Sequence, residues 1–240
     1  MKHRIQRYLR AVVESTREPV PAGAFVLYVH PHSRHPFANY AIPADGVGVD
    51  DGVALVAAAR ERGLVPRLEY IEPCFPSVEQ ALAPAGFTRE GLLRLMTCTA
   101  LKPVQDAAGV ELVEVSLQSP LVAATLTATN AAFGDGPPSD ADVAAWPGRG
   151  IAAIVDGQVV GGASWTAIID GITEIAGVGV IETMRRKGIG GALTAAAVRG
   201  AFEAGATLAV LTPGDDETAR VYERTGFTDT TTMLQLRNSG

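Results

Sequence analysis

Apolar residues Ile5, Tyr8, Leu9 and Val12 fall at helical spacing and predict an amphipathic helix over 4–15, which Pro19 and Pro21 end. Residues 23–30 (GAFVLYVH) are β-branched and aromatic and predict a strand, followed by a His/Pro-rich turn. A short apolar strand at 38–42 runs into a loop holding Gly46, Gly48 and Gly52. A helix over 53–62 follows, with Gly63 placed to cap it. A strand at 66–71, a helix at 78–83 and a strand at 87–97 complete the series.

Periodicity weakens over 102–109 and then restarts. The pattern predicts a strand at 111–117, a helix at 121–132, and a loop at 134–139 opening a short helix at Asp140. Asp156-Gly157 joins strands at 151–155 and 158–165 and is the strongest hairpin signal in the chain. A strand at 172–181, a helix at 190–204, a strand at 207–211, a helix at 217–224 and a strand at 227–236 follow. SVEQALAPAGFTREGLLRLM, from Ser77, aligns with ETARVYERTGFTDTTTMLQL, from Glu217, at a constant offset of 140 residues. Both read as short helix, Gly-Phe-Thr, long strand, and each follows a helix ending in Gly (Gly63, Gly205) and an apolar strand. The pattern predicts a duplication, with halves 1–105 and 106–240.

A chain of 240 residues, 47% hydrophobic, suffices for one large domain or two small ones, each with its own core. A net charge of -6 without a basic block argues against nucleic acid as the main partner. No apolar run is long enough to span a bilayer, and the basic N-terminus lacks a signal-peptide core. The expectation is a cytoplasmic protein without a membrane partner. Cys74 and Cys98 then read as two ordinary buried thiols.

The stretch that carries chemistry begins where the strand at 172–181 runs into Arg185, Arg186, Lys187, Gly188, Ile189, Gly190 and Gly191, which open directly into an Ala-rich helix. Glycines admit positive φ and close approach of a ligand. Helix N-terminal amides point at the same spot. Three consecutive cations add attraction for a polyphosphate. Together they predict an anion cradle. A Walker loop is excluded, since Lys187 precedes the glycines and no GK[ST] follows. A dinucleotide fingerprint fits poorly, since cations stand where its first glycines belong.

Arg185, Gly188 and Gly190 match R-x-x-G-x-G, and Tyr222, Gly226 and Phe227 match a terminal Y-x-x-x-G-F. On these residues the chain resembles the GNAT superfamily of acyl-CoA-dependent N-acyltransferases, over about 110–236 and in the family's element order. The resemblance implies an α/β fold with a mixed, mostly antiparallel central sheet flanked by helices. It implies that the amides of 186–191 hold a CoA pyrophosphate, and that the strand edge at Val178, Gly179 and Val180 binds the pantetheine arm as a pseudo-strand. Gly177 and Gly179 suit the bulge that the family uses there. Tyr222 would protonate the departing thiolate. Glu174 is the candidate base for the amine, acting through water, with Glu182 the runner-up. Where the family often has Asn, seven residues before the tyrosine, this chain has Asp215.

The first half reads as a degenerate, non-catalytic partial copy. Its loop at 44–52 carries three Asp and no cation, and Leu82 aligns with Tyr222. His30, His32 and His35 read as a structural loop and not a metal site. Ser164 and Thr166 flank Trp165 where an acceptor could be lined. The expected activity is acetyl transfer from acetyl-CoA to a primary amine, without a metal. The alternative is a non-catalytic acyl-CoA sensor. Neither the acceptor nor the oligomeric state is encoded legibly.

Overall fold

Helix α1 (Lys2–Glu14) leads at once into a strand, β1 (Glu18–Ala22), where the sequence pattern has only two helix-ending prolines. Pro19 and Pro21 are tolerated because β1 is an edge strand, paired on one side with β2 (Phe25–Val29). The chain continues through β3 (Tyr40–Pro43), α2 (Val49–Glu61), β4 (Arg67–Ile71), α3 (Val78–Leu82) and β5 (Phe87–Cys98). It then forms β6 (Glu111–Ser116), α4 (Val122–Phe133), α5 (Asp140–Ala144), β7 (Arg149–Val155), β8 (Gln158–Trp165) and β9 (Ile172–Val180). The last elements are α6 (Ile189–Glu203), β10 (Leu208–Leu211), α7 (Asp216–Thr225) and β11 (Thr228–Asn238). This computed structural model describes residues 1–44, 48–146 and 148–240. Asp45, Gly46 and Val47 of the acidic loop lie outside the described residues.

Two units result, 1–95 with 230–240, and 96–229. In the first, β2 pairs antiparallel with β1 and β3, β3 runs parallel to β4, and β4 pairs antiparallel with β11. Leu55, Ala59 and Leu82 of α2 and α3 pack with Leu27, Leu68, Leu234 and Leu236. Val13 of α1 packs with Tyr28 and Ile42 in a separate cluster. The His/Pro segment is structural: His35 Nδ1 accepts from Phe37 N at 3.3 Å, and the Phe37 ring covers the buried Arg67 guanidinium at 4.2 Å.

In the second unit β6, β7, β8 and β9 form an antiparallel meander, and β10 joins β9 in parallel. Asp156 (φ 48°) and Gly157 (φ 77°) both take the positive φ that a two-residue type I′ turn demands. Val122 of α4 packs with Val115, Trp146 and Ala152. Leu193, Ala197 and Ala201 of α6 pack with Trp165 and Ile175. The small-residue face of α6 has a specific cause: a Cβ on Gly200 would lie 2.9 Å from the Trp165 ring.

The mixed α/β architecture is as the sequence predicts, and so is the order of elements apart from β1. The unit boundary falls at Leu95/Met96 and not at 105/106, and the final strand returns to the first unit. The strand pairings account for this. Met96, Thr97 and Cys98 at the end of β5 pair with Leu211, Val210 and Ala209 of β10, while β11 pairs with β4. Each half therefore lends its last strand to the other half's penultimate strand. Hydrophobic alternation fixes the face of a strand but does not name its neighbour. A fragment 106–240 would leave one edge of β10 bare and β11 without β4. It is expected to aggregate or to lack the cooperative thermal transition of the full chain, and a cooperatively melting fragment by circular dichroism would show the exchange to be dispensable.

Candidate functional site

The site starts from a mismatch in strand pairing. β9 stays paired with β8 out to Val180, but its parallel pairing with β10 ends at Glu174/Val210. Between Gly162↔Gly179 and Ser164↔Ala176, β9 carries one residue more than β8, which makes a bulge. Gly177 at φ 62° absorbs it, and Ser164 Oγ donates to the Ala176 carbonyl at 3.2 Å. Past Glu174, the β9 edge turned toward β10 is therefore open among the described residues.

The chain leaves β9 through a short 3-10 turn, Glu182–Met184, into the cation run. Arg185 faces away from solvent ligands in its hydrogen bonding: its guanidinium donates to the Val180 carbonyl at 3.2 Å and the Ala132 carbonyl at 2.7 Å. That clamp ties the end of β9 to the end of α4. Arg186 at φ 62° and Gly188 at φ 81° then turn the backbone into α6. The first bond into the helix runs from Ala192 N to Gly188 O at 3.1 Å, so the amides of Ile189, Gly190 and Gly191 have no helical acceptor. A Cβ on Gly188 or Gly190 would meet no protein atom within 4 Å. Packing does not require bareness at Gly190; the space in front of these amides is simply open. That is the cradle a polyphosphate needs.

Helix α7 brings the third part. Asp215 caps it, accepting from Thr218 N at 2.7 Å, and this bond holds its carboxyl below the usual range. At the other end, Gly226 N donates to Glu223 O and Phe227 N to Tyr222 O, a Schellman motif with Gly226 at φ 115°. The Tyr222 and Phe227 rings lie 6.0 Å apart, the apolar contact that accompanies this cap. Y-x-x-x-G-F is thus a helix-stop in chemical terms, and it fixes the tyrosine. Tyr222 is 7% exposed, and its hydroxyl makes no hydrogen bond to a described residue. Burial, helped by the Asp215 charge, pushes its pKa up to about 12.

One cleft of about 1740 Å³ joins the three parts. Its walls include the open β9 edge, the start of α6, and Tyr222 and Val221 of α7. The matches among known proteins agree with this geometry. The Acetyltransferase (GNAT) family profile matches residues 123–227. A GCN5-related N-acetyltransferase from Kribbella flavida is 32% identical at TM-score 0.84, over 100% of this chain and 96% of that one. The chain belongs to the GCN5-related N-acetyltransferase (GNAT) family. The GCN5-related N-acetyltransferase from Sphaerobacter thermophilus shares the fold at TM-score 0.70 and 18% identity, over 96% of this chain and 84% of that one. So does a tandem GNAT protein from the clavulanic acid biosynthesis pathway, solved without AcCoA, at TM-score 0.61 and 13% identity, over 90% and 79%. No curated protein matches the sequence.

GNAT enzymes take their acyl group from acyl-CoA, and the residues that the sequence singled out meet in this cleft. Val178, Gly179, Val180, Arg185, Arg186, Gly188, Ile189, Gly190 and Gly191 line it, with Glu174, Glu182 and Tyr222. Lys187 is exposed beside them, its ammonium 3.3 Å from Met184 Sδ. Glu174 is half-buried; its amide donates to Thr166 Oγ1 at 3.0 Å, which gives Thr166 a positioning task. Pro103, Val104 and Gln105 also line the cleft, and no sequence signal marked them. They stand in the stretch of weak periodicity at 102–109, where Lys102 is tied to the end of α7. Both cysteines are free, Cys98 buried and Cys74 only half-buried. Among the described residues no group of three His, Cys, Asp or Glu side chains could hold a metal, and no helix is long and apolar enough to cross a membrane.

Gly226→Ala tests the cap that holds Tyr222. Its Cβ would lie 2.6 Å from the Ala100 carbonyl oxygen in a backbone conformation that favours glycine. A loss of about 2 kcal/mol or more is expected from φ strain and the clash together, read as a drop in thermal midpoint. An unchanged midpoint would mean that this turn relaxes freely.

Proposed function

We propose that the chain transfers the acetyl group of acetyl-CoA to a primary amine by direct attack, with the chemistry confined to its second half, 106–240. The observation that carries this reading is the convergence of unpaired amides, an unpaired strand edge and the hydroxyl of a buried tyrosine in a single cleft. The amides of 186–191 face the pyrophosphate, and Arg186 and Lys187 supply charge. Arg185 contributes its backbone and holds the loop. The free edge at Val178, Gly179 and Val180 pairs with the amides of the pantetheine arm.

The amine nitrogen attacks the thioester carbon as the carbon–sulfur bond breaks. Glu174 takes the ammonium proton through water. Tyr222 donates to the departing sulfur. With its pKa at about 12 the phenol is a weaker acid than an ordinary thiol, so complete transfer to a free thiolate runs uphill. A hydrogen bond that strengthens as sulfur gains charge needs no complete transfer, and burial makes that bond stronger. The same raised pKa is the observation that favours the second reading, a sensor that binds acyl-CoA without turnover. Release of CoA thiol over a broad amine panel separates the two: binding without release supports the sensor.

For the first half, 1–105, we propose a degenerate copy without catalysis. The 140-residue offset carries α2 (Val49–Glu61) onto the start of α6 at Ile189, and β5 (Phe87–Cys98) onto β11. Asp51 falls on the position of Gly191. Its carboxylate accepts from Gly48 N at 2.7 Å and Ala24 N at 3.0 Å, so an internal anion takes amides that an outside phosphate would need. Leu82, fully buried, stands where the second half has Tyr222.

Gly190→Asp puts a carboxylate into the open space before the α6 amides. The protein should stay folded, because that space is empty of protein atoms, and lose acetyl-CoA binding by calorimetry. A folded variant with unchanged affinity would sink the assignment of this loop. Tyr222→Phe keeps the ring and the cap. Affinity for acetyl-CoA should persist while kcat falls by about 10²–10⁴-fold. Unchanged kcat on a confirmed acceptor would remove Tyr222 from the chemistry.

A further inference from the structure

We infer that the paired hydroxyls of Thr166 and Thr173 are positioning groups for the reaction: together they set where β9 presents Glu174 to the cleft. This rests on the reading of Glu174 as the base. In the hydrogen-bonded register of an antiparallel ladder, two opposite residues exchange both of their backbone bonds. Thr166 and Glu174 stand opposite one another, one step beyond Trp165↔Ile175. Thr166 N donates to the Glu174 carbonyl at 3.0 Å, as the ladder requires. The return bond is different. Glu174 N donates to Thr166 Oγ1 at 3.0 Å, and the Thr166 carbonyl accepts from Thr173 Oγ1 at 2.9 Å. The two hydroxyl oxygens lie 3.4 Å apart. One side chain has taken over a ladder bond, and a second holds the carbonyl that it replaces.

The exchange falls at Glu174↔Val210, where the pairing of β9 with β10 ends. From there on β8 holds β9 on one side while the other side faces the cleft, so the bonds from β8 decide where Glu174 sits. Trp165 and Ile175 are 3% and 4% exposed and share the core beneath α6, so strand alternation turns Glu174 to the opposite face. That core has no need of either hydroxyl. Thr173 is fully buried, and valine has its shape and its preference for strands without a polar atom to satisfy. A hydroxyl costs stability on burial unless a hydrogen bond offsets it. At Thr173 that bond goes to the carbonyl of the residue that carries Glu174. Neither threonine lines the cleft itself, so both act through the carboxylate that does.

The test follows release of CoA thiol from saturating acetyl-CoA, with the primary amine that supports the fastest release, beside calorimetry of acetyl-CoA binding to the full chain. Thr166→Val keeps the side-chain shape and removes the hydroxyl. It should lower kcat by about tenfold or more and leave acetyl-CoA affinity within about twofold. Thr166→Ser should return kcat to within about threefold of the wild type. A group that acts through Glu174 adds nothing once that carboxylate is gone. Thr166→Val in a Glu174→Gln background should therefore change kcat by less than about twofold. Thr173→Val, which releases the Thr166 carbonyl, should behave in the same way, and it carries the test if Thr166→Val fails to fold. The inference is overturned if the folded variant turns over as the wild type does, or if its loss multiplies with that of Glu174→Gln. A Glu174→Gln variant with unchanged kcat overturns the base reading and this inference with it, whereas a multiplied loss overturns this inference and leaves the base in place. A wild type that releases no thiol with any amine overturns the transfer reading and this inference together.

Discussion

Backbone hydrogen bonding sets the terms of this structure. A strand buried among neighbours must pair both of its edges, and β9 does so only through Glu174. From there to Val180 it has β8 on one side and the cleft on the other. The bulge at Gly177 lies at the divergence, the clamp from Arg185 to Val180 and Ala132 ties down the end of β9, and the start of α6 lines the same cleft. Unsatisfied donors and acceptors are thus collected in one place.

Glycine serves three distinct physical purposes around that opening. Gly177, Gly188 and Gly226 supply backbone angles that other residues strain to adopt. Gly200 makes room for a tryptophan ring. Gly190 and Gly191 satisfy neither demand, since a side chain there would not clash with protein. Packing alone does not explain their bareness. Such a distinction separates a folding requirement from a binding one at residues that look identical in sequence.

The exchange of strand ends couples the fate of the two halves. β4 relies on β11 and β10 on the end of β5, so neither contiguous half contains its own complete sheet. The first half has a structural task on those grounds alone. Asp51 satisfies the Gly48 amide at the start of α2 and the Ala24 amide between β1 and β2.

Local rules are written in sequence, and they were legible. Period and turn chemistry located the helices, the strands other than β1, the Asp156-Gly157 hairpin and the glycine-rich turn into α6. The Tyr222-to-Phe227 ending and the offset of 140 residues were visible as well. Each depends on residues close together in the chain. β1 escaped, because prolines argue against a strand unless it is known to lie at an edge. The unit boundary escaped, because alternation does not say which strand pairs with which. The connector escaped too: Lys102, Val104 and Gln105 have no pattern of their own, and only the carbonyls of α7, more than a hundred residues away, give them a fixed place. Sequence by itself determined most of the elements and the residue types at their ends; pairing between distant strands and helix ends decided which of them line one cleft, because hydrogen-bond partners far apart in the chain leave no local trace.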